Sequence, residues 1–289
     1  MVDPLTIIAS GVMLSALYAL IAIGFTMIFG VGGVLNLSHG ANIVIGAYSA
    51  YYVTTWLDVS IWVGALAALL VPALFSLLMY EVLIRHVEDD PITVIILTLV
   101  VLLIVEQLFL VFEGTQPQAI PVLLGGKTDL LGITLQNNRL LVFGLSWILI
   151  GALFAFTNYT RTGMAIEATS MSKRGADLVG IDRRRMAQYT WIIAGMLAGI
   201  SGLFLGSFRT ASWNMGLDPL LLSFSIVILG GLGSVRGSVL GAYVIGFFEI
   251  LTISVIDARL AGFASLVTLI AVLLVKPEGL FGHAEVEAA

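Results

Sequence analysis

Asn36, Ser38, His39 and Asn42 fall within one seven-residue stretch of otherwise apolar sequence, with Gly30, Gly32, Gly33 and Gly40 around them. Glycines permit a helix to break, and a break at membrane depth frees backbone groups that need partners. In transporters such breaks often lie along the substrate route. An ordinary tight turn between two spans at the cytoplasmic surface would use the same residues, and the sequence leaves both readings open. Ser38 suits the N-cap of a helix that starts at His39. No second histidine lies near His39, so the spacing speaks against a metal site and none is expected. Glu106 and Glu249 stand inside apolar runs. A charged group at the bilayer centre costs about 2.5–3.5 kcal/mol on insertion scales, so such carboxylates serve a path, a pair or a proton more often than nothing.

Two other chemistries are excluded by pattern. Leu124-Gly125-Gly126-Lys127-Thr128 ends like a nucleotide-binding loop, but that motif needs a glycine at 121 and Pro121 stands there. No nucleophile–base constellation or carboxylate pair stands out on a water-facing element. The sequence therefore predicts no catalytic residues, no enzyme activity and no nucleotide or other cofactor bound by this chain.

The elements that must position these side chains are membrane spans. Of 289 residues, 59% are hydrophobic and 11% charged, against about 25% charged in an ordinary soluble domain. Apolar runs near 5–29, 38–57, 61–84, 92–112, 138–158, 187–208, 219–233, 237–255 and 258–275 are apolar on all sides, which suits lipid-embedded helices rather than alternating barrel strands. The expected fold is all-α, a polytopic transmembrane helix bundle of about eight to ten membrane segments with Gly-interrupted helices. No polar stretch is long enough for a separate soluble domain, so residues 1–289 read as one domain. The absence of cysteine excludes disulfides and thiol chemistry. The N-terminus lacks the basic start of a cleavable leader, so the first run reads as a retained span.

Arg85, His86, Arg161, Lys173, Arg174, Arg183, Arg184, Arg185, Arg236 and Lys276 follow or interrupt the runs. The positive-inside rule puts them in the cytoplasm. The N-terminus, the loop 113–137 and the loop around Arg209–Asp218 then lie outside, and the acidic tail HAEVEAA lies inside as a disordered end.

The largest polar interruption runs from Asn158 to Arg185, with the core GMAIEATSMSKRGADLVGI from Gly163 to Ile181. Ala165, Ala168, Met171 and Leu178 are placed to form one apolar face of a short surface helix. Gly180 suits its stop and Asp182 the next N-cap. Composition leaves two roles: a juxtamembrane basic loop that sets topology or binds anionic lipid, or a helix that docks a cytoplasmic partner. A late glycine cluster, Gly230, Gly231, Gly233, Gly237, Gly241 and Gly246, permits close helix approach. His39-Gly40 before Gly46-Ala47-Tyr48 is echoed by Arg236-Gly237 before Gly241-Ala242-Tyr243, either as a structural repeat or as ordinary membrane-helix glycine usage.

Three stretches together, YALIAIGFTMIFGVGGVLNLSHG (18–40), TRTGMAIEATSMSKRGADLVGID (160–182) and ILGGLGSVRGSVLGAY (228–243) with VKPEGLFG (275–282), resemble the permease subunits of branched-chain amino acid ABC importers, most closely the shorter, LivH-type permease. The resemblance covers nearly the whole chain. It implies a prokaryotic cytoplasmic (inner) membrane protein that pairs with a second related permease. Two cytoplasmic ATP-binding subunits, which use ATP and Mg, and an extracytoplasmic substrate-binding protein complete the assembly; no nucleic acid is involved.

By the same resemblance the ATPase-coupling residues are Gly163, Glu167, Ala168, Arg174, Gly180 and Ile181, within a cytoplasmic coupling segment at 159–186. Thr169 and Lys173 depart from the wider importer pattern, which has Ala and Gly there. The translocation path or gate would include Asn36, Ser38, His39, Gly40, Asn42, Gly230, Gly231, Gly233 and Glu249, moved by alternating access driven by ATP. Rival readings are a permease for urea or short amides, a secondary amino acid transporter coupled to H⁺ or Na⁺, and a membrane scaffold that transports nothing.

Overall fold

A computed structural model gives the fold and describes residues 3–130, 132–260, 262–275 and 280. Among them six helices are long and apolar enough to cross a bilayer: α1 (Pro4–Gly32), α3 (Ile61–Val82, continued by a 3₁₀ turn to His86), α4 (Pro91–Glu113), α5 (Asn137–Tyr159), α8 (Arg183–Phe208) and α10 (Val235–Leu251, continued by a π turn to Ile256). Three shorter helices complete the apolar set: α2 (His39–Trp56), α9 (Leu217–Gly230) and α11 (Phe263–Val275). Two surface helices, α6 (Arg161–Met171) and α7 (Lys173–Leu178), lie between α5 and α8. Lys276 and the acidic tail lie outside the described residues.

Helix ends follow local chemistry. Asp3, Ser60 and Asp90 cap α1, α3 and α4, each accepting from a first-turn amide, and prolines open α1 and α4. Asp90 also accepts from the Thr93 hydroxyl, and these bonds hold its carboxyl below the ordinary carboxylate range. Gly33 ends α1 in the left-handed region, its N–H bonded to the carbonyl of Phe29.

Packing centres on α1 and α8. Helix α1 is the most enclosed of the six long spans, whereas α3, α4 and α5 turn most of their apolar surface outward. Helix α8 carries a stripe of Gly195, Gly199, Gly202 and Gly206. Pro72 sits inside α3 and has no N–H for the carbonyl of Ala68, four residues back. That freed carbonyl lies against Gly199, and the carbonyl of Pro72 lies against Gly195, where a Cβ would meet it at 2.6 Å. On the other side of the stripe, Gly202 meets the carbonyl of Ile43 and Gly199 meets Gly46 of α2. Small residues let three backbones approach here with no side chain between them. Helix α10 runs antiparallel to α1, with Ser15 beside Gly246 near one end and Thr26 Oγ1 2.5 Å from Ser238 Oγ near the other.

The bundle has a basic end and a far end. The basic end gathers the close of α1 and α3, helices α6 and α7, the start of α8 and the α9–α10 turn. There Glu81 of α3 binds Arg184 and Gln188 of α8, each at 2.6 Å, and also pairs with Arg85. The far end holds an antiparallel hairpin, β1 (Lys127–Leu130) with β2 (Ile133–Gln136), in the register Lys127↔Gln136. Ile133 and Leu135 seat the hairpin on Met13, the start of α1 and the start of α5. A reciprocal backbone pair, Gln118 with Ala211 at 2.7 and 2.8 Å, ties this connection to the loop after α8. The nucleotide-loop look-alike at 124–128 leads into this hairpin and not into a helix, so it lacks the helix N-terminus that holds phosphate.

Candidate functional site

The break after α1 is buried. His39 donates through Nε2 to the carbonyl of Ile21 at 3.0 Å, and its ring packs edge-on against Phe25. Ile21 lies eleven residues before Gly32, about 16 Å along the helix at 1.5 Å per residue. The chain therefore turns back at 33–38 and starts α2 deep inside the bundle. Of the two openings for this stretch, a surface turn is the one the structure overturns. Ser38 does stand at the N-cap position, but its hydroxyl bonds Asn36 Oδ1 at 2.6 Å and caps nothing. Asn42 reaches Ser76 of α3 at 3.4 Å, and the Leu37 amide donates to Thr98 of α4 at 3.1 Å. Asn36 Nδ2, His39 Nδ1 and Asn42 Oδ1 are buried and have no hydrogen-bond partner within the described chain.

A second half-length helix meets the first at this level. The carbonyl of Gly216, at the start of α9, would lie 2.8 Å from a Cβ at Gly40. The Glu106 carboxyl of α4 lies close to the backbone amides of Gly216 and Leu217 at the start of α9, with its Oε1 buried and without a hydrogen-bond partner among the described residues.

The other proposed path residues lie elsewhere. Gly230 and Gly231 close the α9–α10 turn at the basic end, where a Cβ on Gly230 would overlap the backbone of Gly237, and Gly231 and Gly233 have φ of 100° and 80°. Gly233 faces Gly30 of α1. Glu249 is buried nearer the far end, where its Oε1 accepts the Gly262 amide at 3.0 Å. The sequence grouped these positions; the structure brings together Asn36 to Asn42 alone and separates the rest. The two echoed positions differ in setting: His39 is fully buried at the start of α2, whereas Arg236 is exposed at the start of α10, at the basic end.

The polar segment at the basic end is two helices, not one. Ser172 breaks them with extended backbone and caps the second through its hydroxyl to the Gly175 amide. The inward face is Gly163, Ile166, Thr169 and Ala176, and this corrects the expected apolar face: Met171 and Leu178 are 82% and 81% exposed, with Val179 at 74%. Gly163 lies so close to the carbonyl of Phe156 that no side chain fits. Gly180 has φ of 78°, and Asp182 caps α8 through the Arg185 amide, as the sequence predicts. Glu167 and Arg174 are exposed; Ala168 is half-buried, and Ile181 is half-buried against the core. Lys173 donates to the last carbonyl of α1, that of Gly32, at 2.8 Å, and Ser170 lies beside Gly30. The segment thus touches the helix that precedes the buried break and, through Gly30, the α9–α10 turn.

The α8 glycine stripe and the approach of Glu106 to the start of α9 escaped the sequence reading. Gly195, Gly199, Gly202 and Gly206 repeat at four, three and four residues, a spacing that marks one helix face. The Glu106 contact joins distant segments and leaves no local signal.

The sequence matches the family described as branched-chain amino acid transport system, permease component, over residues 7–274. The chain belongs to this family. It is 28% identical to the high-affinity branched-chain amino acid transport system permease protein LivH of Salmonella typhimurium, across 96% of this chain and 95% of that protein. It is 26% identical to the permease protein BraD of Pseudomonas aeruginosa, across 97% and 96%. A probable LivH of Methanocaldococcus jannaschii is 24% identical across 96% and 92%. No solved structure matches. The chain is accordingly a multi-pass membrane permease, a transport subunit built as an all-α bundle.

Proposed function

We propose that this permease carries branched-chain amino acids across the membrane as one half of the transmembrane part of an ATP-binding-cassette importer. Residues 1–289 act as one permease domain with a second related permease. Two cytoplasmic ATP-binding subunits supply the energy with ATP and Mg, and an extracytoplasmic binding protein delivers substrate. This chain holds no ATPase site and no cofactor of its own. The observation that carries the reading is an apolar patch of Met171, Leu178 and Val179, exposed on a basic segment that also grips the end of α1 through Lys173. Exposed apolar groups flanked by charge mark a protein contact, and the basic end is the cytoplasmic one by the positive-inside rule.

The coupling segment 159–186, with Gly163, Glu167, Ala168, Arg174, Gly180 and Ile181, would transmit the closing of the ATPase pair. Gly163 sets the α5–α6 corner, Gly180 the exit to α8, and Glu167 and Arg174 meet the partner. Motion passed to Gly32 and Gly30 reaches Asn36, Ser38, His39, Gly40 and Asn42, the buried polar stretch proposed to line or gate the path. Gly230, Gly231 and Gly233 form the second hinge. The test is uptake by the assembly purified from its native membrane and placed in vesicles. Leucine should accumulate only with ATP on the cytoplasmic face and loaded binding protein on the other. Accumulation by the permease alone, at the full rate, would overturn the assignment in favour of an ion-coupled carrier.

A further inference from the structure

A cavity of about 590 Å³ opens toward the far end, between α1, the loop after α8, α9, α10 and the start of α11. Its size lies within the roughly 300–1,000 Å³ of small-molecule sites. Leu205, Leu221, Leu222 and Phe263 supply apolar wall. Tyr18, Arg209, Asp218 and Glu249 supply the polar groups. Arg209 is exposed, and its guanidinium makes no ion pair or side-chain hydrogen bond among the described residues. Glu249 is buried in the wall, held by the Gly262 amide.

A zwitterion with an aliphatic side chain needs one cation, one anion and a dry wall. Either a carboxylate or an ammonium taken alone would leave one of the two signs unanswered. We propose that this cavity is where the permease receives the α-amino acid: Arg209 meets its carboxylate, Glu249 and Asp218 meet its ammonium, and the leucine-rich wall takes its side chain. The assignment rests on the transport reading above and places substrate contact on the binding-protein side of the buried break at 33–38. Glu249 keeps its Gly262 amide while it meets the ammonium, so the hold is shared and weak, as a conduit that must release its cargo requires.

The chain contains no cysteine, so single thiols report cleanly. In the purified assembly in vesicles, Arg209→Gln should lower ATP-driven leucine uptake at least tenfold while ATPase subunits still co-purify and hydrolyse ATP; Arg209→Lys should recover part of the loss. Ser212→Cys should react with a membrane-impermeant thiol reagent from the binding-protein side, the adduct should block uptake, and loaded binding protein should slow the reaction several-fold. Wild-type uptake in both Arg209→Gln and Glu249→Gln, or a thiol adduct that leaves uptake intact, would overturn this site while the transport reading stands. A wild-type assembly that takes up no branched-chain amino acid would overturn the transport reading itself, whatever the variants do.

Discussion

Gly202→Leu should yield no folded permease. A Cβ at Gly202 would overlap the carbonyl oxygen of Ile43, backbone against backbone at the crossing of α2 and α8. A flexible side chain could swing aside, but here one helix must move away from the other. Overpacking a core costs typically about 1–3 kcal/mol and occasionally more. A leucine against a backbone should exceed that range and approach the roughly 5–15 kcal/mol that keeps a protein folded. Separating α2 from α8 also strips cover from Asn42 and His39. The expected readout is loss of monodisperse protein in detergent. Gly202→Ala should survive with a clearly lower unfolding midpoint. Gly151→Ala is the control, because a Cβ at Gly151 in α5 meets nothing within 4 Å, and its midpoint should not fall. A wild-type midpoint for Gly202→Leu would refute the stripe as the site of closest approach.

Leu178→Glu with Val179→Glu should break the complex and spare the fold. Both side chains are largely exposed at the end of α7, so the exchange should shift the stability of the permease by no more than about 0.5 kcal/mol. Two carboxylates set into an apolar contact are another matter. We expect at least a hundredfold loss of ATPase binding, about 2.8 kcal/mol at 1.4 kcal/mol per decade. Pull-down of ATPase subunits with the tagged permease reads it, and undiminished recovery would remove the patch from the interface. Ile181 is a poorer probe than its neighbours, because it packs against the core and its substitution would confound docking with folding.

Much of this was legible in the chain itself. Uniformly apolar runs gave the spans, because lipid demands apolar surface all round a helix. Asp182 and Gly180 gave the boundaries of the surface segment, because capping and left-handed backbone are local chemistry. What a single strand of sequence hides is depth and direction. LNLSHGAN reads as a surface turn or a buried break until the contact between His39 and Ile21 decides between them. Met171 and Leu178 look like inward apolar positions, yet the inward stripe of α6 falls on Gly163, Ile166 and Thr169, Ser172 then restarts the helix, and both point out. The Glu106 contact with Gly216 and Leu217 joins residues more than a hundred positions apart, and no periodicity records it.

The pairing of α1 with α10 bears on how the protein is made. Thr26 and Ser238, which touch in the finished bundle, are 212 positions apart in the chain. At roughly 5–20 residues per second of synthesis, the first span waits about 10–40 s for that neighbour to emerge from the ribosome. The two hydroxyls that will face α10 are provided for in the interval: Ser15 bonds the carbonyl of Gly11 and Thr26 that of Ala22, each within the same helix. The opening span can therefore rest alone in lipid until its late-born companion arrives.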